Sequence, residues 1–383
     1  MRDVDVQQGI GAVIRAYEAQ GAHRTGTDVD RASGEWLADE VRRIGLEPAL
    51  EEFTLSRIDP VAATLEVNGR KIEGLPLFDG AFTSSAGISG PLGELNSEAL
   101  IGLTEIPPNA AEAGALGEAR RQDRHQAIVV ITRGARPGLC PSNADSFLRP
   151  FGPPVLQVDS EEASFLAACA RQGATARLTA HVRHVEAKAL NVVAVAPGQD
   201  RKAAPLVVMT PRSGWGACAS ERGGGLACWL DIMRAMRATR PVRDVLFVAS
   251  SGHELGHLGL ESFIARRPGI VAAAKAWIHL GANIGAAQGP GNLLQASDDE
   301  MEALMEEAMT KAGLRIDRRH ARGTVPLGEA KNVHHGGGRF VSIIGSNDLF
   351  HNPSDRGAEV VDLDVIARFA GAFAAVGASL AGA

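Results

Sequence analysis

Residues 245–263 read VLFVASSGHELGHLGLESF, and the fold turns on how they are divided. Val245 to Ala249 is a short, wholly apolar run, the mark of a strand buried on both faces. Ser250-Ser251-Gly252 is a turn, and a helix is predicted over 256–267. Within the stretch, His253-Glu254-Leu255-Gly256-His257 matches H-E-x-x-H, which on one helix face sets two histidines on zinc beside a glutamate base. That clamp needs both histidines inside a helix. The division above instead puts His253 and Glu254 at the carboxyl end of a strand, where open α/β sheets hold their ligands. No third ligand stands at the spacing the clamp requires, so the match is read as accidental.

Working outward, the same rhythm runs from residue 191 to the end. NVVAVAPG, APLVVMTP, RDVLFVASS, AKAWIHLG and FVSIIGS are short apolar strands. GGGLACWLDIMRAMRAT, SDDEMEALMEEAMTKAGL and LDVIARFAGAFAAVGASL alternate with them as helices, the second with Ser297 and Glu300 at capping-box spacing. Buried strands alternating with helices predict an α/β three-layer sandwich around a mixed, mostly parallel sheet. Helical periodicity also marks 8–22 and 33–45, with Gly45 closing the second, and EPALEEFTL alternates like a strand. Between 76 and 190 the pattern changes to short apolar runs rich in Gly and Pro, with AIVVITRG, PPVLQVDS and ATARLTAHV as strands. SEEASFLAACARQG there reads as a helix ended by glycine. The expected organisation is a discontinuous domain, 1–75 with 191–383, interrupted by a β-rich insert over 76–190.

Composition narrows the function classes. With 383 residues, a net charge of −6 and pI near 6.0, the chain is a poor partner for nucleic acid or an anionic membrane. Cys140, Cys169, Cys218 and Cys228 have no metal-knuckle spacing and read as small buried thiols. No run is judged to reach the ~18 apolar residues of a membrane span. These features set the expectation of a soluble, cytoplasmic protein; oligomeric state is not legible.

The blocks taken together resemble the co-catalytic zinc exopeptidases, a family that includes bacterial leucyl aminopeptidases, glutamate carboxypeptidases and glutaminyl cyclases. ASSGHELGHLGLESF looks like the strand-end pair of acids that the family follows with Leu-Gly and a helix. HRTGTDVDRASGEWLADEVRRIGLEP, APLVVMTPRSGWGACASERGGGLACWLDIMRAM, AKAWIHLGANIG and NDLFHNPSDRGAEVVDLDVI resemble its other core blocks, in order. Residues 76–190 are similar to the protease-associated domain inserted in many members. The resemblance implies hydrolysis of an amide or peptide bond in a small substrate, by two zinc ions bridged by an aspartate and a water.

The same comparison shows where the chain departs from that chemistry. Pro211-Arg212-Ser213 stands at the family's first His-x-Asp, Ser220 near its bridging aspartate, His253 at its general base, and Gly281 at the next strand-end aspartate. The ordinary two-zinc site is therefore not expected. One zinc or other divalent metal on Glu254, His351 and either Glu221 or His253 is one alternative. A neutral His253 beside Glu254 as the catalytic pair would suit general-base work. Metal-free binding is the other, with Arg212 clamping a carboxylate and Asn283 contacting the substrate. Each residue has a plainer reading: Glu254 as a helix cap, His351 as a turn residue, Arg212 as a salt-bridge partner. His257 and His279 read as packed or surface histidines, and His334-His335 as a loop pair. The expected function is thus an amide or peptide hydrolase with a reduced or altered metal site, acting on a small amide, peptide or acyl-amino acid. The alternative is a binding protein that keeps the fold without the chemistry.

Overall fold

The structure, a computed structural model, describes residues 2–382. In chain order the elements open with helices α1 (Arg2–Glu18) and α2 (Asp28–Ile44) and strands β1 (Ala49–Val67), β2 (Arg70–Pro76), β3 (Ile88–Glu94) and β4 (Ile101–Ile106). There follow α3 (Gly114–Gln122), β5 (Ala127–Thr132), β6 (Val155–Val158), α4 (Ala163–Arg171) and β7 (Thr175–Ala196). The second half runs β8 (Leu206–Pro211), α5 (Gly223–Thr239), β9 (Val245–Ser250), α6 (Leu258–Ala265), α7 (Ile270–Ala273) and β10 (Ala276–Leu280). It closes with β11 (Gly291–Ala296), α8 (Asp299–Lys311), β12 (Arg318–Arg319), α9 (Ala330–His335), β13 (Phe340–Ser346) and α10 (Leu363–Ala381).

The large sheet is mixed and mostly parallel. β9, β8, β10 and β13 lie side by side in parallel, with β7 antiparallel to β9 on one flank and β11 antiparallel to β13 on the other. Its strands obey the two-residue alternation of a sheet covered on both faces. In β8, Leu206 and Val208 join the cluster built with α1, α2, α5, α8 and α10. Val207 and Met209 point the other way, toward α6, α7 and α9 through Phe263, Val271 and Val333. Each such side chain, fully buried, is worth roughly 1.5–3 kcal/mol. That two-sided burial makes these strands read as continuous apolar runs.

The stretch 245–263 divides as its sequence predicts. β9 ends at Ser250, a single 3₁₀ turn holds His253–Leu255, and α6 begins only at Leu258. His253 and Glu254 therefore stand at the strand end. Several details differ. α2 starts at Asp28, earlier than 33, because the Thr27 side chain accepts from the Asp30 amide. α8 is capped by Asp298, which accepts from the Met301 amide, while the Ser297 hydroxyl accepts from the Phe340 amide in the neighbouring strand. The short β11, β12, α7 and α9 have no counterpart in the sequence reading.

Residues 76–190 contribute to two further apolar clusters, one in which Leu103, Val129 and Leu156 join Leu65 of β1 and Ile72 of β2, the other around Leu77, Ile128 and Val155. Neither position 76 nor position 190 coincides with a break in the sheet. β1 and β7 form one antiparallel ribbon, in register from Ala49 opposite Val193 to Val67 opposite Ala176, with a bulge between Pro60 and Ala62. Residue 190 lies inside β7, and hydrogen bonding runs without interruption from β2 through β6, β5, β4, β3 and β7 to β12. α10 departs from expectation in another way: it is long and apolar enough to cross a membrane by length and composition. Here Ile366, Phe369, Phe373 and Val376 are buried in the core, so its apolar character serves packing on α5 and α8.

Candidate functional site

At the parallel strand ends lies a cavity of about 600 Å³, bordered on its other side by Asn109, Ala111, Asn143 and Asp145. The turn after β9 shapes its wall. Gly252 and Gly256 take left-handed φ of +82° and +75°, and a Cβ on Gly252 would lie 2.8 Å from that of Leu258. Only glycine supplies that conformation at low cost. The turn sets His253 at the cavity and stacks its ring on His257 at 4.8 Å. His279, next to the last residue of β10, is the third histidine of this wall.

Behind the histidines stands Glu329, fully buried, just before α9. Its Oε1 accepts from the Ser250 hydroxyl at 2.6 Å and lies 3.4 Å from His253 Nδ1. His257 Nδ1 bonds Asn332 Oδ1 at 2.7 Å, and His279 Nδ1 bonds the Ser342 hydroxyl at 2.8 Å. Burial lowers His279 to about 4 and His257 to about 3, and pushes His253 well down with help from the Arg222 charge. The imidazoles are thus neutral at pH 7. Asn283, at a left-handed φ of +65°, also borders the cavity, its Oδ1 accepting from Asn347 at 3.1 Å.

The remaining candidates do not line the cavity, and each is held by partners of its own. Glu254 is fully buried; Thr25 donates to Oε1 from its amide at 2.8 Å and its hydroxyl at 2.7 Å, and Ser213 donates to Oε2 at 2.7 Å. Arg212 is not placed to clamp a substrate. Its guanidinium is fully buried, 2.9 Å from Asp30, and donates to the Asp30 and Leu190 carbonyls. Glu221 pairs with Arg222 at 2.7 Å and stands 3.5 Å from His351 Nε2. Burial opposes ionisation of Glu221, but Arg222 and His351 outweigh it and hold the carboxyl far below its usual range. Asp355 accepts from the Ser220 hydroxyl and amide and from the Glu221 amide, and burial raises it to about 6.

A zinc ion needs three or four electron-pair donors converging at ~2.0–2.3 Å. Among the described residues no three His, Cys, Asp or Glu side chains are grouped to hold one. Glu254 and His351 do not share such a group: the lone pairs of one are met by Thr25 and Ser213, while the other faces Glu221 and its guanidinium. The donor set does not fit the metal. Two residues that matter here, Arg222 and Glu329, are absent from the sequence reading. Glu329 lies 79 residues from Ser250, so nothing local announces it. Arg222 had one signal, a lone cation beside Glu221 at the start of a Gly-Gly-Gly helix.

No family model matches the chain, and no curated protein matches its sequence. Solved structures do. A zinc aminopeptidase from Bacillus subtilis superposes with a TM-score of 0.80 at 16% identity, over 97% of this chain and 94% of that one. A peptidase M28 precursor from Shewanella amazonensis gives 0.76 at 14% identity over 99% and 96%, and an aminopeptidase from an Aneurinibacillus strain 0.73 at 14% over 98% and 94%. The chain therefore has the α/β fold of these aminopeptidases along nearly its whole length.

Proposed function

We propose that this chain binds a small peptide or acyl-amino acid in the strand-end cavity and has no two-zinc hydrolytic centre. One observation supports this above others. The carboxylates and the arginine at positions expected to carry chemistry are each held by a partner of their own (Glu254 by Ser213, Arg212 by Asp30, Glu221 by Arg222) and do not line the cavity, whose wall includes His253, His257, His279 and the amides of Asn283 and Asn347. The ligand class follows from the fold neighbours, which are named aminopeptidases and peptidases, and from the lining. Leu293, Ile344 and Phe350 offer an apolar surface beside those amides, and Arg318 and Lys331 offer cations to a carboxylate. Calorimetry with dipeptides and N-acetyl amino acids, with product analysis of the same mixtures, tests the reading. Binding without turnover is expected, weakened about tenfold by Asn283→Ala. Steady peptide cleavage, or no binding by any of these ligands, refutes it.

A second reading, amide hydrolysis, has its own support in the pair His253–Glu329. A neutral imidazole with a carboxylate at its back is the arrangement of an oriented general base. His253 would take the proton from an attacking water, and Glu329 would hold the ring and its charge. On this reading His253→Ala lowers turnover by about 10²–10⁴-fold; on the first there is no turnover to lose.

A further inference from the structure

Two histidines of the cavity wall are held in opposite tautomers. The Gln295 side chain is fixed one way round, because its Oε1 accepts from the Leu327 amide at 2.7 Å and its Nε2 donates to the Leu327 carbonyl at 3.2 Å. Nε2 also donates to the Ser342 hydroxyl oxygen at 3.2 Å. The hydroxyl proton is left for the other partner of that oxygen, His279 Nδ1 at 2.8 Å. His279 therefore carries its proton on Nε2. That N–H is buried and has no hydrogen-bond partner among the described residues. Gly328, which also lines the cavity, leaves the ring edge uncovered: a Cβ there would lie 3.1 Å from His279 Cε1 and 3.8 Å from Nε2.

His257 is fixed the other way. A carboxylate only accepts, and Asn332 Nδ2 donates to Glu261, so it is Asn332 Oδ1 that faces His257 Nδ1, at 2.7 Å. Nδ1 then carries the proton, and Nε2 keeps its lone pair. Burial lowers His279 to about 4 and His257 to about 3 despite the nearby Glu329 charge, so both rings are neutral at pH 7. One N–H donor and one lone pair, both uncharged, complement a group that brings an acceptor and a donor of its own. We infer that these two histidines read a neutral amide of the ligand, His279 Nε2–H donating to its carbonyl oxygen and its N–H donating to His257 Nε2. The inference rests on the ligand-binding reading and names the part of the ligand that this wall recognises. An ester or a carboxylate has no N–H there and sets an oxygen lone pair against that of His257.

N-acetyl-leucine and its ester analogue 2-acetoxy-4-methylpentanoate differ only by an N–H replaced with oxygen, and calorimetry of both on the full-length protein tests the assignment. The amide is expected to bind at least about tenfold more tightly than the ester. That preference should vanish in His257→Phe, whereas His279→Phe should weaken both ligands and keep their ratio. Long-range ¹H–¹⁵N spectra of histidine-labelled wild type should show His279 as the Nε2–H tautomer and His257 as the Nδ1–H tautomer, each assigned by its loss in the single variant. If either variant does not fold, the two ligands on wild type decide alone. Equal binding of amide and ester overturns the inference and leaves the ligand-binding reading standing, as does finding the same tautomer at both rings. Binding of neither probe also overturns it, and dipeptides titrated into the same sample then show whether the ligand-binding reading falls as well.

Discussion

At the scale of single residues, polar atoms in this protein are defined by what meets them. Glu254 occupies a position where the resemblance leads one to look for a metal ligand, yet its oxygens receive three donors from Thr25 and Ser213. Ser213 in turn accepts from the Gly252 and His253 amides, so the carboxylate anchors the turn that presents His253. A buried carboxylate with that many partners is a structural group, and turning one oxygen into an amide sets a donor against a donor. Glu254→Gln is accordingly expected to lower stability by about 1–3 kcal/mol, read from the urea midpoint. Unchanged stability together with lost ligand binding would show instead that Glu254 acts on the ligand.

At the scale of elements, the end of β10 leaves no room for one of the ligands that the resemblance expects. Gly281 follows β10 where the resemblance expects an aspartate. A Cβ there would lie 2.6 Å from Ile344 Cγ1 and 2.8 Å from the Ile343 carbonyl, both within β13. Neither neighbour is the free tip of a flexible side chain, so Gly281→Asp must displace β13 and bury a charge. The expected result is a loss of at least about 2 kcal/mol, with no gain of metal. A Gly281→Asp protein as stable as wild type that takes up stoichiometric zinc would show that the strand ends can still accept the ligand.

At the scale of the whole molecule, burial sets the pH response. His23 and His279 are lowered to about 4 and His257 to about 3, chiefly by burial. Unfolded, each titrates near ~6.5. Their contribution is complete above that value and is lost as pH falls toward the folded values, because the unfolded chain then binds more protons. Asp79 and Asp355, raised by burial to about 6, act in the opposite sense. Between their unfolded value of ~3.9 and 6 the native state binds more protons, so they gain stability on acidification. His253, pushed well down by burial, acts in the same sense as the other three. The histidines outweigh the two aspartates, so lowering the pH from 7 to 5 should cost at least roughly 3 kcal/mol, measured as urea midpoints across that range. A midpoint that rises on acidification would mean that these histidines do not stay neutral in the native state.

The sequence by itself determined the layered architecture. Strands such as Val245–Ser250 are buried on both faces, so their apolar runs survive any detail of packing and can be read without coordinates. It also determined that His253 and Glu254 end a strand, because the turn residues between that strand and the next helix are local. Only the tertiary structure decided what the polar groups do. Glu254 meets Thr25 across 229 residues, Ser250 meets Glu329 across 79, and Arg212 meets the Asp30 carbonyl across 182. A charged side chain carries no periodic signal of its partner. Whether it serves as ligand, clamp or internal salt bridge depends on which distant donors and acceptors the fold brings within hydrogen-bond reach.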